Sequence, residues 1–160
     1  GPLWANSPLM PTLPIVTFRL DDRLFGVPLE TVLRVEGAAR ITPVPGAPET
    51  LLGVLNYHGE ILPVFDMRRW TGASPRPLQP SDQFLLVRAR GSTLVLPVDL
   101  VEGVRLPERV APPGSVAGVL PGVGGMVASS DGTLILSDPE RLLTEDDLAR
   151  LRLALEATSP

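Results

Sequence analysis

A chain of 160 residues with 44 % hydrophobic side chains is long enough to bury a core, and a mean hydropathy of +0.21 excludes a disordered charged tail. Eighteen acidic residues against fourteen basic ones, all of them arginine and scattered, give a net charge of −4 and argue against the clustered positive face that nucleic acid demands. No cysteine, no lysine and one histidine set aside disulfides, thiol catalysis, cysteine-ligated zinc and Schiff-base chemistry, and no apolar run approaches the roughly 18 residues that cross a bilayer, so membrane insertion is not expected.

Gly1-Pro2-Leu3 resembles a protease scar, and the stretch up to Pro14 reads as a flexible leader or a cut through a longer parent chain. Nineteen prolines and 15 glycines then punctuate the chain into short segments, which argues against a helical bundle. Ile15 to Leu20 is a short apolar strand that Asp21-Asp22-Arg23 turns back on itself. Leu51 to Tyr57 and Ile61 to Phe65 flank His58-Gly59 as a hairpin, the glycine supplying a positive φ. Asp66 ends that strand and caps Met67-Arg68-Arg69-Trp70. Phe84 to Arg90 repeats the first strand, with Arg90-Gly91-Ser92 as its turn. Met126 to Ala128 and Leu134 to Leu136 flank a turn at Ser130-Asp131-Gly132, and Asp138 caps a helix with Pro139 at its first position. Thr144 and Asp147 form a capping box, after which Leu148, Leu151 and Leu155 share one helical face that should dock on the body of the protein.

The chain is written twice. Shifted by 69 residues, Ile15 to Val35 lies on Phe84 to Val104 without a gap, aligning Arg19 with Arg88, Pro28 with Pro97 and Glu30 with Asp99. About three inserted residues later, Gly53 to Asp66 resembles Gly125 to Asp138, and Arg69 and Arg141 each follow their aspartate by three. This predicts two half-domains of about 70 residues, divided in the proline-rich stretch from Thr71 to Ser81. Short strands at such spacing predict small closed barrels, since closure hides strand edges.

Chemistry has few candidates. Asp66, Asp99 and Asp138 could serve as acid–base carboxylates, but capping accounts for Asp66 and Asp138, and Asp99 has an acidic twin in Glu30. Gly122-Val123-Gly124-Gly125 lacks the Lys-Ser/Thr of a phosphate loop and reads as a loop. His58, the only imidazole, cannot build a metal site alone and reads equally as a recognition group or an ordinary turn residue. Val32, Val35, Val98 and Val101 are more apolar than a small barrel needs inside. Either all four are core, or some line an exposed groove that a partner covers.

The ordered set Phe18 to Pro28, Val32 to Val35, Ile41 to Pro45, Leu52 to Asp66, Leu96 to Val101 and Asp131 to Leu136 resembles the CheW-like domain family, from about Ile15 to Leu155. The resemblance implies a mainly β fold of two SH3-like five-stranded barrels with short helices, a C-terminal helix and a third apolar core between the barrels. It implies a leader over 1–14 and one domain over 15–157, made of subdomains at about 15–75 and 80–143 and a helix at 144–157. The implied activity is that of a cytoplasmic, non-catalytic adaptor with no cofactor and no metal. The implied partners are a chemoreceptor signalling tip, the regulatory domain of a histidine kinase, and other domains of this fold. Carried over by position, the receptor groove would draw on Val32, Val35, Val98 and Val101, and a turn at Asn56, His58 and Gly59 would match the family's Asn-Leu-Arg-Gly. Two departures fall here, since His58 replaces the arginine of that turn and Arg34 replaces an acidic residue between two valines, reversing its sign. The alternatives are a divergent scaffold or a module of a longer protein with other partners, in polarity or motility, and, from another class, a small-molecule-binding barrel or enzyme with a polar pocket.

Overall fold

Four strands are buried on both faces, and that determines the architecture. In β1 (Ile15–Leu20), β2 (Arg23–Pro28), β6 (Gln83–Ala89) and β7 (Ser92–Val98), almost every position is buried, so cover is needed on either side of each ladder. The computed structural model describes residues 14–106, 123–129, 132–142 and 144–158. The other strands are β3 (Val32–Gly37), β4 (Leu51–Tyr57), β5 (Glu60–Phe65), β8 (Leu100–Arg105), β9 (Val123–Ser129) and β10 (Gly132–Ser137). The helices are α1 (Met67–Thr71), α2 (Pro139–Leu142) and α3 (Glu145–Thr158).

The ten strands form two five-stranded sheets. Sheet one runs β8-β1-β2-β10-β9 and sheet two runs β3-β6-β7-β5-β4. Between them lies a core built from alternate residues of the four apolar strands: Val16, Phe18 and Leu20, Phe25 and Val27, Leu85, Val87 and Ala89, and Leu94, Leu96 and Val98. The intervening residues Phe84, Leu86 and Val95 join Leu55, Leu62 and Val64 in a separate cluster on the other face of sheet two. Sheet two curls, because Thr42, beyond β3, bridges to Val54 of β4 at the far edge. Gly53 permits that approach: a Cβ there would stand 2.5 Å from the Thr42 carbonyl oxygen.

The sequence repeat is reproduced down to the register. Ile15 faces Pro28 as Phe84 faces Pro97, and Ile15 faces Arg105 as Phe84 faces Glu36. The register shift that skips Glu102 in β8 recurs at Leu33 in β3. The parallel pair Leu136–Gly26 recurs as Val64–Val95. Yet the halves are not the sheets. Hairpin β1–β2 sits with β8, β9 and β10 of the second half, while β6–β7 sits with β3, β4 and β5 of the first. The expected subdomains at 15–75 and 80–143 are thus interlocked rather than consecutive, because the β2–β3 and β7–β8 links, three residues and one, are too short to cross over β1 or β6 and rejoin the same sheet.

Local signals read from the sequence form as expected at both helix starts. The Arg68 N–H donates to Asp66 Oδ1 at 3.0 Å and the Glu140 N–H to Asp138 Oδ1 at 3.0 Å. Thr144 and Asp147 cap α3 reciprocally, at 3.1 and 3.2 Å, and Leu151 is buried in the central core with Leu148 and Leu155 against it. Two expectations fail. Val123-Gly124-Gly125 opens β9 instead of forming a loop, while Gly122 and the Ser130-Asp131 part of the second turn lie outside the described residues. Val98 presents no surface to a partner: it is 1 % exposed in the central core, where the period-two alternation of β7 directs it.

Val98→Asp should therefore lower the unfolding free energy by about 4 kcal/mol, the scale of an unpaired buried charge, seen as a fall in denaturant midpoint. Gly53→Ala should cost about 2 kcal/mol through displacement of the Thr42 backbone, measured in the same titration.

Candidate functional site

β3 is an outer strand of sheet two, and its side chains divide between core and solvent. Val32 and Val35 stand opposite Val87 and Leu85, on the face that further in carries the central core. Val32 is half-buried against that core, whereas Val35 is 42 % exposed and Leu33, the residue skipped by the ladder, 45 %. In β8 the equivalent residues repeat the arrangement. Val101, opposite Phe18, is half-buried, and Val104, opposite Val16, is 59 % exposed. The central layer thus has two apolar mouths, one at each outer strand, with Val32 and Val101 on their floors.

The β4–β5 hairpin closes through a two-residue turn in which His58 and Gly59 both have positive φ, 52° and 86°. That geometry matches the right-handed twist of the flanking strands. Asn56 Oδ1 accepts the Gly59 N–H at 3.0 Å and holds the turn. Asn56, His58 and Gly59 are all exposed. The His58 ring meets Tyr57 edge-on, with centroids 4.4 Å apart. The Tyr57 hydroxyl donates to Glu36 Oε1 at 2.8 Å and accepts from Arg34 at 2.9 Å. Hydrogen bonding to Tyr57, reinforced by Glu36, holds the Arg34 guanidinium above its usual range.

Arg34 and His58 therefore meet at one place, joined by Tyr57. Tyr57 and Glu36 were absent from the residues singled out in the sequence. The available signal was the i, i+2 spacing of Arg34 and Glu36, which puts them on one face of a strand; their contact with β4, at the opposite edge of the sheet, follows only from its curl.

Asp99 belongs to a third arrangement, an ion network at the junction of the sheets. Arg68, 8 % exposed at its side chain, reaches Asp21 at 2.9 Å and Asp99 at 2.7 Å. Arg76 reaches Asp99 at 2.5 Å and Asp82 at 2.6 Å, and the Asp21 N–H donates to Asp99 at 2.7 Å. Burial pushes the Asp99 carboxyl up, but the Asp21 N–H and the two guanidinium groups outweigh it and hold it below the ordinary carboxylate value. Burial likewise opposes the Arg68 charge, and its bonds to Asp99 and Asp21 more than restore it. A carboxylate so fully engaged by cations serves structure instead of proton transfer.

A groove of about 390 Å³ lies between β5 and α3, lined by Ile61, Pro63, Leu148 and Leu155 with Arg88 and Arg152 among its polar residues. Among the described residues no group of three or more His, Asp or Glu is placed to hold a metal ion, and no helix is long and apolar enough to cross a membrane.

Residues 14–147 match the family model of the CheW-like domain. Over 89 residues, 55 % of this chain and 55 % of the relative, the sequence is 37 % identical to Protein FrzA of Myxococcus xanthus. Over 145 residues, 86 % of this chain and 85 % of the relative, it is 23 % identical to Chemotaxis protein CheW of Treponema pallidum. The match thus spans about half the length of FrzA and most of the treponemal protein. The crystal structure of the scaffolding protein TtCheW from Thermoanaerobacter tengcongensis superimposes with a TM-score of 0.76 at 27 % identity, covering 85 % of this chain and 95 % of that one.

Arg68→Met, which removes the cation shared by Asp21 and Asp99 and leaves Asp99 to Arg76, should destabilise by about 2 kcal/mol, the scale of lost hydrogen bonds to charged groups, read from chemical unfolding. The folded Asp99 value lies below the ordinary 3.8. Its contribution is therefore complete above pH 3.8 and disappears as the pH falls through the lower, folded-state value. Stability measured against pH should show that acid limb, and Asp99→Asn should flatten it.

Proposed function

Since the chain belongs to the CheW-like domain family, whose model covers residues 14–147, we propose that it is a non-catalytic adaptor of a bacterial sensory array that couples chemoreceptor signalling tips to the regulatory domain of a histidine kinase. The observation that carries this reading is the pair of apolar mouths. Val35 and Val104 stand on faces that elsewhere bury a core, yet are 42 % and 59 % exposed. Apolar surface continuous with a core is suited to cover by another polypeptide.

On this reading the receptor hairpin lays an apolar stripe against Val32, Val35 and Val101, and the kinase domain meets the turn at Asn56, His58 and Gly59. Val98 contributes from below, as support for the floor. The unit is the span 15–157 and works in the cytoplasm, with other domains of this fold as further partners.

A second reading keeps the adaptor role and changes the partners. The Arg34–Tyr57–His58 cluster favours it, because an exposed guanidinium fixed by a tyrosine hydroxyl accepts acidic groups that the family's usual acidic residue would repel. A divergent scaffold in polarity or motility, or a module of a longer protein, would use the same surface.

Binding of the chain to receptor-tip hairpins and kinase regulatory domains from its own genome tests the reading. Val35→Asp should weaken receptor-tip binding by at least about tenfold, as for an interface centre, with the melting temperature unchanged. His58→Arg should alter kinase-domain affinity while moving stability by no more than about 0.5 kcal/mol. If neither class of partner binds, the array reading fails and the second reading stands.

A further inference from the structure

The groove between β5 and α3 shares no residue with the two valine mouths or with the Asn56-His58-Gly59 turn, and both of its walls leave apolar surface uncovered. On the helix wall, Leu151 is buried in the central core, but Leu148 and Leu155, one turn before it and one turn after, are only half-buried. On the strand wall, the alternation of β5 sends Leu62 and Val64 into the cluster on the outer face of sheet two. Ile61, Pro63 and Phe65 take the other face. Phe65 is buried in the central core, Pro63 is half-buried, and Ile61 is 50 % exposed. The space between the walls, about 390 Å³, has room for a few large side chains.

Charge and backbone narrow what can fill it. Arg88, across the β6–β7 ladder from Thr93, and Arg152 of α3 rise into the lining, one from the sheet and one from the helix. Both are exposed, and neither makes an ion pair among the described residues, whereas Arg19, Arg34, Arg68, Arg69 and Arg76 each reach a carboxylate. Glu60 is the only acidic residue of the described lining, so the groove is cationic on a chain of net charge −4. β5 lies inside its sheet, between β4 and β7, and has no free edge to accept an added strand. An extended peptide laid here would bury N–H and C=O groups without partners. A helix brings its own backbone bonds with it.

We propose that this groove is a third docking surface, which takes an amphipathic helix of a partner protein whose apolar stripe is flanked on both sides by acidic residues. The stripe covers Ile61, Pro63, Leu148 and Leu155, and the flanking carboxylates pair with Arg88 and Arg152. The two guanidinium groups select such a helix over a basic one. A second copy of the chain does not supply it. Among the described residues α3 is the only helix longer than five residues, and its solvent face carries Arg150 and Arg152, which would confront the arginines of the groove. A flat anionic bilayer would touch the rim and leave the floor uncovered, and the net negative charge of the chain opposes its approach.

Synthetic peptides of about 18 residues, long enough to be partly helical in water, provide the probe. Each carries leucines at i, i+3, i+4 and i+7, with glutamate, glutamine or lysine on the flanks. In fluorescence anisotropy at low salt, the glutamate peptide should bind the chain about tenfold more tightly than the glutamine peptide, and the lysine peptide should bind weakest. Arg88→Glu/Arg152→Glu should reverse that order with the melting temperature unchanged. Val35→Asp should leave all three affinities as they are, so that loss of the groove and loss of a receptor site are read separately. Equal affinities for the three peptides, or an order that survives the double reversal, overturn the proposal. Two other results overturn it by naming a different occupant. One is a dimer in sedimentation velocity that the double reversal abolishes, and the other is tighter binding to phosphatidylglycerol vesicles than to the glutamate peptide. If the double reversal does not fold, Arg88→Gln/Arg152→Gln must bind the glutamate and glutamine peptides alike, and a remaining preference refutes the assignment.

Discussion

Cover for the second face of four apolar strands is the constraint from which the architecture follows. A ladder can hide only one of its faces within its own sheet, and β1, β2, β6 and β7 have apolar residues on both. Placing the two hairpins back to back satisfies both at once and produces the central core, of which Phe18, Phe25, Leu85 and Leu96 are fully buried members. The outer strands β3 and β8 are then left at the rim of that layer, so the same packing that stabilises the chain positions its exposed valines.

Much of this was legible in the residues. The repeat was visible as spacing, the hairpins as turn chemistry at Asp21, His58 and Arg90, and the caps as Asp66, Asp138 and Thr144, all of them local signals. The exchange of hairpins between halves was not legible, because a strand's pattern states how many of its faces need cover and not which partner supplies it. Val98 illustrates the limit. Its surplus apolar character was recognised, but the choice between groove and core depended on whether β7 was covered on its second face. The Arg34–Tyr57–His58 cluster was half legible: the first and last were singled out separately, while the tyrosine that joins them acts across the curl of a sheet.

Electrostatics adds what hydrophobic pattern cannot. Apolar strands bury area without fixing orientation, whereas Asp21, Arg68 and Asp99 form a charged group tied by specific hydrogen bonds at the junction of the sheets. Buried ion pairs give little net stability, because desolvation offsets their attraction. Arg76 extends the group to Asp82 and fastens the connection between the halves to the same junction.

The near-symmetry of the two mouths has a geometric corollary. Val35 and Val104 are equivalent in the repeat, but Arg34 beside the first corresponds to Gly103 beside the second. Two sockets of like shape and unlike chemistry give the molecule a front and a back. A segment that fits one socket would therefore meet different chemistry in the other, so the two rims of the layer need not take the same occupant.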